Sequence, residues 1–194
     1  TTNGSSFSHN QGFTCLDSAC NNMVFHGYGL QVKTQGEILL DGVTADENNL
    51  WGAYLSGSKV TVNNSTFSNN IFSQGGTFHG YGLQVVATGN TNPNILLDGV
   101  EASGNGLYGV DIIGTTTVYV TDGTYSNNGQ YGINAVSATV DICGSPIFEN
   151  NPNNIFQTLG CPEVAPTTTV TTDPVGENVP LDVPPAEGNP GENS

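Results

Sequence analysis

Apolar and polar residues alternate along this chain in short runs, among them Tyr28 to Val32, Tyr81 to Val85 and Tyr108 to Ile112. Polar turns rich in Gly, Asn and Ser separate them. A period of two is the pattern of a half-buried strand, and no stretch sustains the 3.6-residue apolar period of a helix. The runs themselves recur. Phe-His-Gly-Tyr-Gly-Leu-Gln-Val occupies 25–32 and again 78–85, and Ile-Leu-Leu-Asp-Gly-Val follows at 38–43 and 95–100. A shorter unit lies beneath this long one. An aromatic–Gly pair opens a run at Tyr28, Trp51, Tyr81, Tyr108 and Tyr131, in steps of 23, 30, 27 and 23 residues. A second run begins at Ile38, Val60, Ile95, Val118 and Val140. A third anchor follows at Ala45, Phe67, Ala102, Tyr125 and Phe148. Three residues beyond each anchor stands an asparagine: Asn48, Asn70, Asn105, Asn128 and Asn151, with Phe7 and Asn10 closing a further unit.

Three short strands per unit bury too little to fold alone, so the units must stack. Stacking pairs each strand in parallel with its copy in the next coil, about 4.8 Å away, and aligns the inward apolar residues in columns. Asparagine at one turn position suits a left-handed backbone, and its amide can bond to the asparagine above. Propeller blades need longer units of four strands, and the Gly-Gly-x-Gly-x-Asp of calcium-binding rolls is absent. The prediction is an all-β solenoid of about six coils.

With its Tyr-Gly-apolar-x-apolar starts and its Ser-Asn-Asn endings at 68–70 and 126–128, the chain resembles the pectate-lyase-like superfamily of right-handed parallel β-helices. The resemblance covers residues 1 to about 158 and implies that fold. It does not imply one activity, because enzymes, adhesins and inert stalks share the scaffold. Residues 1–161 are the expected repeat domain, opening part-way through a coil as a fragment of a longer, multi-domain chain would. Residues 162–194 hold seven of the ten prolines, six acids and no base, the composition of a disordered linker.

Charge narrows the partners. Seventeen acids stand against two lysines, Lys33 and Lys59, with no arginine, for a net charge of −15. A nucleic-acid binder needs cations to displace counterions from phosphate, so that class is excluded. Polyanionic glycans and anionic membranes are disfavoured for the same reason, and no apolar run has the length of a membrane span. Cys15, Cys20, Cys143 and Cys161 match no zinc spacing; two disulfides, Cys15–Cys20 and Cys143–Cys161, fit better than four buried thiols and point to an extracellular or cell-surface setting.

Candidate chemistry is sparse. The outward positions of the first strands are Gln31, Tyr54, Gln84, Asp111 and Asn134, and of these only Asp111 ionises. A glycoside hydrolase of the usual kind needs two carboxylates. The lyases of the resembling superfamily imply calcium-binding acids with an Arg or Lys base, a set not found here. Two insertions, 11–27 and 71–80, leave the same corner on alternate coils and end in Phe-His-Gly-Tyr. They are expected either to wall a cleft over Trp51 and Tyr54, flanked by His26 and His79, or merely to shield the stack. Each histidine either bonds within its own loop or serves a ligand, and Trp51 is either core or platform. Asp46-Glu47 offers at most weak calcium binding, and no metal or cofactor is expected. The expected function is an extracellular scaffold for adhesion or neutral-glycan binding through His26, Gln31, Trp51, Tyr54, His79, Gln84 and Asp111, without catalysis. The alternatives are a polysaccharide-active enzyme using Asp111 and His79, and a mechanical spacer.

Overall fold

The computed structural model describes residues 1–10, 12–15, 23–74, 77–88, 95–155 and 158–160. Among them every regular element is a strand. The first sheet stacks, in order, Tyr28–Lys33, Trp51–Gly57, Tyr81–Ala87, Tyr108–Ile113, Tyr131–Val136 and Asn153–Ile155. The second stacks Thr2–Asn3, Glu37–Asp41, Lys59–Asn63, Ile95–Asp98, Thr117–Val120, Thr139–Ile142 and Thr158–Gly160. All pairings in both sheets are parallel. A third side is built from the pair Val100–Glu101 and Gly123–Thr124 and from single bridges such as Thr44↔Thr66. The result is a parallel β-helix of about five turns, close to the six expected.

The registers follow the repeat anchors. Ile38 lies beside Val60, Val60 beside Ile95, Ile95 beside Val118, and Val118 beside Val140. These residues, with Leu55, Leu83, Leu97, Ile112, Ile133, Phe67 and Tyr125, form one buried core. The ring of Tyr125 stacks on that of Phe148, with centroids 5.2 Å apart.

At the corner after the third side, Asn10, Asn48, Asn70, Asn105, Asn128 and Asn151 stack into a continuous ladder. In each step the backbone N–H and the Nδ2 of one asparagine donate to the Oδ1 of the next, at 2.9–3.1 Å. At Asn48, Asn105, Asn128 and Asn151 the second Nδ2 proton reaches back to a carbonyl of the preceding coil, as from Asn105 to Phe67 and from Asn128 to Ala102, both at 3.0 Å. Asn48, Asn70, Asn105 and Asn128 are buried, and the hydrogen bonds along the ladder are what make four interior amides tolerable. Asn151 donates to Asn154 Oδ1 at 3.3 Å, which closes the C-terminal end of the ladder.

The left-handed residue is not the ladder asparagine, as the sequence had suggested, but the one before it. His9, Glu47, Asn69, Gly104, Asn127 and Asn150 all have φ between +55° and +68°. The reversal at that residue swings the next side chain inward, where its amide meets the neighbouring coils. A second ladder runs two residues before the first. Ser8, Asp46, Ser68, Ser103 and Ser126 each accept, through a side-chain oxygen, the backbone N–H of the equivalent residue one coil on, at 2.6–3.3 Å. The Ser-Asn-Asn ending is therefore one unit: a buried hydroxyl acceptor, an exposed left-handed turn residue and a buried amide.

Candidate functional site

The aromatic–Gly pair has a steric origin. At Gly29, Gly52, Gly82 and Gly109 a Cβ would stand 2.4–2.6 Å from two backbone carbonyls and 2.7–2.8 Å from the Nδ2 of a ladder asparagine. No side chain fits on that inward side, so the aromatic before each glycine turns outward. Tyr28, Trp51, Tyr81, Tyr108 and Tyr131 form a half-buried stack on the edge of the first-sheet face and are not part of the core cluster. Tyr28 and Trp51 stack nearly parallel with centroids 4.5 Å apart, and Trp51 and Tyr81 follow at 5.5 Å. Further along the rings tilt: Tyr81–Tyr108 at 5.2 Å and Tyr108–Tyr131 at 5.7 Å.

Beside this stack runs the row Gln31, Tyr54, Gln84, Asp111 and Asn134, in direct strand register. Asp111 is gripped from both sides: Gln84 Nε2 donates to one carboxylate oxygen at 2.6 Å and Asn134 Nδ2 to the other at 2.7 Å. It is 5% exposed and Gln84 9% exposed. Burial, and then the Asp111 charge, raise the phenol pKa of Tyr81 and of Tyr108. The exposed members of the row are Gln31 and, in part, Tyr54 and Asn134. Lys33 sets its ammonium 5.0 Å from the centre of the Tyr54 ring, a cation–π contact.

The model of right-handed β-helix regions matches residues 2–164 of this sequence. The chain belongs to the right-handed β-helix family. No curated protein and no solved structure matches it.

In this β-helix both long insertions are antiparallel hairpins. Gly12–Cys15 pairs with Met23–His26, and Phe72–Gln74 with Thr77–His79. They leave the same corner on alternate coils. The intervening coil passes between their bases, where the Leu50 N–H donates to Gly27 and the Leu50 carbonyl accepts from Tyr81. His79 stacks on Phe72 of its own hairpin at 6.0 Å, which engages the ring locally. The His26 and Cys15 side chains, and all of Cys20 and Cys161, lie outside the described residues. Cys143 is disulfide-bonded. At the other end of the strands Lys33, Thr34, Gln35, Ser56 and Thr88 line an open concavity of about 650 Å³.

Sequence reasoning placed the row correctly in register but missed two things. Asp111 is occupied on both oxygens, so it does not stand free as an acid. The aromatic column faces out; the invariable glycine after each aromatic was the available signal, and only the coil spacing explains it.

Proposed function

We propose that this β-helix is an exported, non-catalytic scaffold that binds a neutral glycan along the outer face of its first sheet. The observation that carries the reading is the column of five half-buried aromatic rings, the first three stacked and the last two tilted, beside a row that includes the amides of Gln31, Gln84 and Asn134. Aromatic rings offer apolar faces to a ligand while amides fix its hydroxyl groups, the usual division of labour in a carbohydrate site. Neutral ligands fit best, because the net charge is −15 and the cation on this face, Lys33, sits over Tyr54. A carboxylate that already accepts two short hydrogen bonds and is nearly sealed from solvent is poorly placed to exchange protons with a substrate. The disulfide at Cys143 accords with an oxidising compartment.

Trp51 is the only tryptophan and belongs to the stack, so its emission reports on the site. Titration with neutral oligosaccharides is expected to change that emission saturably. Tyr54→Ala should abolish the change, whereas Tyr119→Ala, on the second sheet, should leave it intact. An equal response in both variants, or none in the native protein, refutes the site. Release of reducing ends or unsaturated products that Asp111→Asn abolishes would establish the enzymatic alternative instead.

A further inference from the structure

Three Asn-x-Ser/Thr triplets occur in the whole sequence: Asn3-Gly4-Ser5, Asn63-Asn64-Ser65 and Asn64-Ser65-Thr66. This triplet is the acceptor sequence for N-linked oligosaccharide, and it requires a surface position in an exported chain. The fold brings all three to one place. Asn3 pairs with Asp41 and Asp41 with Asn63, so the triplets share the corner at which the second sheet ends. None falls on the first-sheet face or in the buried asparagine ladder, although asparagine is abundant in both the turns and the ladder.

We propose that Asn64 is an attachment site for an N-linked oligosaccharide. Its backbone is left-handed (φ +46°), in a column otherwise filled by Gly4, Gly42 and Gly99 at +57° to +62°. That column is the tip of the corner, and Asn64 is exposed there. Its amide nitrogen makes one contact, to Asp41 Oδ1 at 3.3 Å, and its amide oxygen faces Gly99, which has no side chain to crowd it. Asn63, one residue earlier, is half-buried in strand pairing with Asp41 and Asp98, and the hydroxyl of its Ser65 is buried in hydrogen bonds to Val43 and Asn63. Of the two overlapping triplets, the folded stack therefore accommodates a bulky substituent at Asn64.

The chemistry is a group transfer from a lipid-diphosphate-linked oligosaccharide. Asn64 Nδ2 forms a bond to the anomeric carbon, the bond from that carbon to the diphosphate oxygen breaks, and one amide proton is released to solvent. The nitrogen keeps its second proton. A glycan here projects from the junction of the second and third sides and leaves the first-sheet face clear. The inference rests on the exported setting proposed above but not on sugar binding.

The test is secretion of the full chain from a eukaryotic cell line, followed by release of N-glycans with an amidase that converts the linked Asn to Asp, and peptide mapping. Conversion is expected at Asn64. Asn64→Gln and Thr66→Ala should each remove it, with the circular dichroism of the folded protein unchanged; Thr66→Ala leaves the Asn63 triplet intact. An unmodified Asn64 in folded, secreted protein overturns the proposal, and so does conversion at Asn63 or Asn3 in its place. Titrating the same sample with neutral oligosaccharide keeps the two readings apart. Occupied Asn64 without binding refutes only the binding site, and binding without occupancy refutes only the attachment site.

Discussion

Replacing Asn105 by Ala removes an amide that takes part in four hydrogen bonds. Its Oδ1 accepts from the Asn70 backbone N–H and from Asn70 Nδ2, both at 3.1 Å; its Nδ2 donates to the Phe67 carbonyl and to Asn128 Oδ1, both at 3.0 Å. The backbone bond from Asn105 N–H to Asn128 survives. Truncation thus leaves three groups without partners in a site that is 2% exposed: the Asn70 N–H, one Asn70 amide proton and the Phe67 carbonyl. Each buried orphan costs about 1–3 kcal/mol, and partial relaxation into the small space left behind recovers some of it. The expected loss is about 3–5 kcal/mol, the upper end of single-substitution effects. Asn105→Asp separates hydrogen-bond polarity from volume, because the side chains have nearly the same shape. A second carboxylate oxygen would replace Nδ2 and face two acceptors, the Phe67 carbonyl and Asn128 Oδ1. Its cost should match or exceed that of Ala and shrink as the pH falls and the carboxyl protonates. Urea unfolding followed by Trp51 emission and by far-ultraviolet circular dichroism measures both variants, and the two transitions must coincide for the free energies to hold. An Asn105→Asp protein within about 0.5 kcal/mol of the native chain would refute the ladder as an energetic element.

Gly109→Ala should destabilise by about 3 kcal/mol, since its Cβ would lie 2.5 Å and 2.6 Å from the Gly132 and Ala102 carbonyls. Gly4→Ala, with open space but φ +57°, should cost only about 1 kcal/mol; equal effects in thermal melts would contradict the steric account. The Tyr125 hydroxyl is buried with no hydrogen-bond partner, while Phe67 and Phe148 fill the same column. Tyr125→Phe should accordingly raise stability by about 1 kcal/mol, and a lowered melting temperature would show that the hydroxyl is satisfied. Burial raises the pKa of Asp46, the Ser68 N–H opposes that shift, and the Glu47 charge adds to it. Because the folded carboxyl is the weaker acid, its contribution to stability is present below the ordinary Asp range and is lost as the pH rises through the raised value. Asp46→Asn should flatten that part of the pH–stability curve, and an Asp46 resonance titrating at or below the ordinary range would reverse the sign.

The sequence alone determined the architecture of this protein. Period-two runs specify strands, three anchors per unit specify three sides, and the constant offset from each third anchor to an asparagine sets the phase in which coils stack. The positions of Gln31, Tyr54, Gln84, Asp111 and Asn134 in one outward row were legible for the same reason: strand alternation plus repeat register leaves one arrangement. The two insertions were legible as loops from a shared corner, though not as hairpins. Three features were decided only by tertiary structure. The left-handed residue lies one position before Asn48, Asn70, Asn105 and Asn128, because what matters is which side chain the turn delivers to the neighbouring coil. The outward turn of Trp51 and the tyrosines follows from the space denied beside Gly52, Gly82 and Gly109 by carbonyls of other coils. Asp111 is closed off by Gln84 and Asn134, 27 and 23 residues away in the chain. Each depends on distances of a few ångströms between residues of different coils. A repeat pattern shows which residues recur, but only the coil-to-coil separation shows which of their atoms meet.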